Sequence, residues 1–76
     1  MTDREKLMLE WLKSKIRIET ELETNAQMRA GYHSATGNKA SAMQEMANAD
    51  IHAYCITILQ ELLKVQEDLI ANGEIH

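Results

Sequence analysis

The sequence predicts an all-α protein, a long antiparallel two-helix hairpin that assembles into a homo-oligomeric helical bundle. Three observations lead there. Pro is absent and only three Gly occur, while Leu, Ile, Met, Ala, Glu, Lys and Gln, all good helix formers, dominate. A single turn-rich segment, Gly31–Asn38, lies in mid-chain. The segment after it is apolar along two separate helical lines, more than one partner helix can cover.

The first helix is expected over residues 3–30. Thr2 with Glu5 matches a capping box, which satisfies amide donors at a helix start. Gly31 is the first stop signal. Residues 31–38 carry two Gly, one Asn and two hydroxyl side chains before Lys39, a composition suited to chain reversal. The second helix is expected over 39–71, capped by Asn38 or by Ser41, the latter forming a second box with Gln44. Asn72-Gly73 reads as its terminator, with Glu74, Ile75 and His76 fraying beyond it. At 1.5 Å per residue the helices span roughly 40 and 50 Å, and a short connection makes them antiparallel. That pairing sets the basic start of helix 1 (Arg4, Lys6, Lys13, Lys15, Arg17) beside the acidic end of helix 2 (Glu61, Glu67, Asp68).

Helix 2 carries one line through Ala47, Ile51, Tyr54, Ile58, Leu62, Val65 and Leu69, and a second through His52, Ile56, Leu59, Leu63 and Ile70. On helix 1, Leu7, Met8, Leu9, Trp11, Leu12, Ile16, Ile18 and Leu22 cover about half the circumference. Each Leu or Ile moved from water into a core contributes about 1.5–3 kcal/mol. A lone hairpin would leave several of them wet, so self-association is expected. The interface is assigned to Trp11, Lys15, Glu19, His52, Ile56, Leu59, Leu63 and Ile70. Lys15 and Glu19 fall inside the apolar arc at a spacing that allows them to pair. His52 is placed to meet its symmetry mate across a two-fold interface.

The chain has 76 residues, which limits it to one domain spanning 1–76 with a modest core. Cys55 is the sole cysteine, so no internal disulfide can form, and a free thiol suits a reducing compartment. No zinc-ligand spacing occurs, and no metal or cofactor is expected. The N-terminus lacks a signal-peptide pattern, and no apolar run approaches the roughly 20 residues that cross a bilayer. A cytoplasmic protein without membrane association is expected. A net charge of −4 argues against broad nucleic-acid binding.

One segment has the composition of a ligand site. No acidic residue occurs from Arg29 to Ala42 in an otherwise acidic chain. Arg29, His33 and Lys39 are interleaved there with Tyr32, Ser34, Thr36, Asn38 and Ser41. Cations and hydroxyls beside a helix N-terminus form a reasonable anion site. The phosphate-loop spacing GxxxxGK[ST] is not met. Met28, Met43 and Met46 gather towards the same end and serve equally as core filler or as an adaptable partner surface. No nucleophile elbow, triad or Glu-x-x-His pattern occurs, so no enzyme is expected.

In size, lone thiol and lack of catalytic motifs, the chain resembles small accessory proteins carried by bacteriophages, among them antagonists of host defence. That resemblance implies a regulatory or inhibitory interaction. The sequence therefore points to an oligomeric helical protein that binds another macromolecule. The alternative is a binder of a nucleotide or other phosphorylated ligand near the turn.

Overall fold

The computed structural model describes residues 1–75 and consists of two helices, α1 (Asp3–Ala35) and α2 (Lys39–Ile75), packed as an antiparallel hairpin. The body measures 60 × 16 × 12 Å, with a radius of gyration of 17.2 Å. A compact chain of this length would have a radius of about 11 Å. Its accessible surface, 5829 Å², exceeds the about 4,700 Å² of a globular monomer of the same mass.

The predicted capping box is present. The Glu5 amide donates to Thr2 Oγ1 at 3.2 Å, and the Thr2 amide donates to Glu5 Oε1 at 2.9 Å. Those bonds hold the Glu5 carboxyl below its ordinary pKa, the backbone bond at Thr2 contributing most and its side-chain bond next.

The turn is shorter than expected, and α1 runs through Gly31 to Ala35. The stop is Gly37, at φ +83°. The Asn38 amide donates to the His33 carbonyl at 2.8 Å, and the Gly37 amide to the Ser34 carbonyl at 3.2 Å. This is the Schellman pattern, with Gly in the left-handed position beyond the cap. Gly31 lacks that role: it is helical, and the seam repeat continues beyond it to half-buried His33. Asn38 then caps α2, its Oδ1 accepting from the Ser41 amide at 3.2 Å. Ser41 is thus inside α2, and a second box starting there does not form. At the far end the helix passes through Asn72 and Gly73 to Ile75; His76 lies outside the described residues.

The seam has a regular repeat. On α1, residues 5, 9, 12, 16, 19, 23, 26, 30 and 33 are buried or half-buried, and on α2 residues 42, 45, 49, 52, 56, 59, 63, 66 and 70. Steps of three and four alternate without a break, which is the heptad of a two-stranded coiled coil. Leu12, Ala26, Ala30, Ala49 and Ile70 are the buried apolar residues. Small side chains fill the half nearer the turn, and larger ones fill the open half. Polar contacts across the seam include Arg29 Nε to Glu45 Oε2 at 2.9 Å and His52 Nδ1 to Glu19 Oε2 at 2.6 Å.

Candidate functional site: a one-sided apolar face

The seam takes up the second line of α2. His52, Ile56, Leu59 and Leu63 are half-buried against α1, and Ile70 is buried. These residues, assigned from the sequence to an interface between copies, lie in the fold of a single chain. His52 bonds Glu19 of its own chain rather than standing free for a symmetry mate. The reason is register: the second line follows the seven-residue repeat that a partner helix requires, while the first line does not.

The line left open is therefore the longer one. Ile51, Ile58, Leu62, Val65 and Leu69 on α2 are exposed, as are Met8, Trp11, Ile18 and Leu22 on α1, with exposures between 39% and 60%. The two sets share one side of the hairpin. Trp11, Lys15 and Glu19 line a shallow depression together with Cys55, Ile58 and Leu59. Ile18 and Leu22 continue the α1 side of it at helical spacing, and Leu62, Val65 and Leu69 continue the α2 side. Antiparallel heptads place these flanks of the two helices on the same side.

Towards the turn the same side becomes polar, with Asn25, Arg29 and Tyr32 on α1 and Asn48 and Gln44 on α2. The opposite side carries Lys6, Lys13, Arg17, Thr20 and Gln27 facing Gln60, Lys64 and Glu67. It becomes less polar only near the turn. There a depression of about 580 Å³ is lined by Gln27, Ser34, Met43, Met46 and Asp50, among others. The hairpin is thus a ribbon with one apolar face, confined to the half away from the turn.

Lys15 and Glu19, spaced in the sequence to pair with each other, find different partners. Glu19 is half-buried and bonded to His52. Lys15 is exposed, and its Nζ stands 5.7 Å from the Trp11 ring centroid, a cation–π distance. Cys55 is half-buried at the edge of the same depression.

The polar groups of the turn are largely engaged by the backbone or by acids. Arg29 is bonded to Glu45, an acid just past the acid-free stretch of sequence. The Thr36 hydroxyl is within bonding distance of the Tyr32 and His33 carbonyls, at 3.0 and 3.2 Å. Asn38 is the cap of α2. Tyr32 and His33 meet edge to face with centroids 5.6 Å apart. Ser34 lines the methionine-bordered depression, on the side of the hairpin away from Tyr32. Lys39 is exposed and Ser41 half-buried in the first turn of α2, which has no acidic residue.

Among the described residues no cluster of three or more His, Cys, Asp or Glu is placed to hold a metal ion. No helix among them is long and apolar enough to cross a membrane. Comparison with protein-family models, with curated proteins and with solved structures finds no match. The fold and the open face define a class: a two-helix antiparallel coiled-coil hairpin with a one-sided apolar surface.

Proposed function

We propose that the protein is a non-catalytic, self-assembling helical interaction protein that regulates or inhibits another macromolecule, as phage-type accessory proteins do. The observation that supports this most directly is the one-sided apolar face. It carries a tryptophan and a run of branched aliphatic side chains that the hairpin leaves about half exposed. Patches of this kind on a small protein mark association surfaces. At roughly 130 Å² for each fully exposed large apolar side chain, its nine residues present on the order of 600 Å². A standard interface takes about 800 Å² from each partner, so apolar burial plus a polar rim is enough for a stable assembly.

The phosphorylated-ligand alternative draws on Lys39 and the acid-free start of α2. It has less support, because Arg29 is already matched by Glu45 and the Thr36 and Asn38 side chains are committed to the backbone.

Native mass spectrometry of the purified protein, followed by affinity capture of a stoichiometric protein partner, tests the proposal. The expected result is a mass of two or more chains and one partner retained at a fixed ratio. A monomer at high concentration would remove the assembly. Capture with no stoichiometric protein would remove the regulatory role.

A further inference from the structure

The geometry points to an antiparallel dimer, in which a second copy covers the apolar face about a two-fold axis crossing it between Lys15 and Glu19. This rests on the self-association proposed above and adds its occupant and its direction.

The charges inside the face are the reason. Lys15 and Glu19 lie in the middle of the apolar surface and line the same depression as Ile58. In a parallel face-to-face dimer, α1 of one copy lies against α2 of the other at the same height. Lys15 would then be pressed on Ile58, and an ammonium buried on an aliphatic side chain is strongly unfavourable. Antiparallel packing sets α1 against α1. Residues at equal distances on either side of the axis meet, so Lys15 of each copy reaches Glu19 of the other. Two reciprocal charge pairs form where the parallel arrangement leaves two unmatched ammonium groups. Glu19 can serve both partners, because His52 engages only its Oε2 and a carboxylate accepts at both oxygens.

Nitroxide labels measured by double electron–electron resonance read the direction. The background is Cys55→Ala, and one label is carried at Ala35→Cys or at Ser14→Cys, both exposed positions. Ala35 is about 18 residues from the proposed axis, so at 1.5 Å per residue its labels are separated by about 54 Å. Ser14, close to the axis, gives a short separation, under roughly 30 Å, by the same rise. A short Ser14 distance with a long Ala35 distance supports the antiparallel dimer. Short distances at both sites mean parallel packing and overturn this inference, while self-association stands. A long Ser14 distance means that another face pairs, which also overturns it. Absence of dipolar modulation at both sites, with a single-chain mass, removes the inference and the proposed assembly together.

Discussion

At the scale of single residues, three features fix the path of the hairpin, and two glycines show how differently one residue type can act. Gly37 sits at φ +83°, and nothing lies within 4 Å of the position its Cβ would take. Alanine there would be strained by the backbone alone, costing about 1 kcal/mol. Gly31 is helical and equally uncrowded, so alanine there should stabilise by about 0.5–1 kcal/mol. Thermal melts of Gly31→Ala and Gly37→Ala should shift in opposite directions; the same sign for both would contradict the Schellman assignment. At the other end of α1 the capping box makes stability depend on pH. The folded-state pKa of Glu5 is depressed. Its contribution is therefore complete above the unfolded value of about 4.3 and is lost as pH falls through the lower folded value. The protection of the Glu5 amide, relative to its intrinsic exchange rate at each pH, should fall over that acidic interval in the native chain but not in Glu5→Gln. Across the seam, the Glu19–His52 bond joins two half-buried polar groups where the heptad calls for apolar ones. Glu19→Leu or His52→Leu alone should destabilise by on the order of 1 kcal/mol. The double replacement should be neutral or stabilising, because no polar group is left unpaired. Urea midpoints of the three variants check this, and a double variant weaker than both singles would contradict it.

At the scale of the helices, α2 carries two repeats of different length. The buried line advances by seven residues per two turns. The open line through Met43, Ala47, Ile51, Tyr54, Ile58, Leu62, Val65 and Leu69 advances by eleven per three. Seven-residue repeats suit a left-handed supercoil and eleven-residue repeats a right-handed one, so the two lines cannot stay parallel on one helix. The open line winds by about 50° for every eleven residues relative to the seam. Near the turn it lies on the outer side of α2, and at the open end it has reached the flank shared with α1. This winding is why the apolar face occupies only one half of the hairpin. Packing along the seam is also uneven. Ala26, Ala30 and Ala49 are buried near the turn, where small side chains let the helices approach closely. Ala26→Leu should force them apart and cost about 1–3 kcal/mol. A melting temperature unchanged by that substitution would mean the alanine half is loosely packed.

At the scale of the whole molecule, the ratio of surface to core decides behaviour. The hairpin exposes about 1,100 Å² more than a globular chain of its mass, and among the described residues five apolar ones are buried. The proposed association through the open face would remove much of that excess. The melting temperature should accordingly rise with protein concentration, as mass action requires when folding and assembly are coupled. Leu62→Lys places a charge on the open face at a residue 51% exposed in the single chain. It should reduce association at least tenfold by sedimentation equilibrium while the helical circular dichroism at high concentration persists. Retention of full association would show that another surface joins the copies.

The sequence by itself determined the helical class, the single reversal, the Thr2–Glu5 box and the surplus of apolar lines on helix 2. These are local: propensity, capping chemistry and periodicity act within a few residues. The stop at Gly37 was harder to read because Gly31 carries the same local signal, and only the continuation of the seam repeat to half-buried His33 separates the two. Which line of α2 turns inward was decided only by tertiary structure. Glu5, Glu19, Glu23, Glu45, His52 and Gln66 occupy heptad positions and disguise an unbroken seam as a broken one, so the longer and greasier line looked the better candidate for the inside. The same holds for the turn cluster, whose Arg29 is matched by a carboxylate that only folding brings beside it. A helix presents its lines together, and the partner's register selects the one with a compatible repeat, not the one with the most carbon.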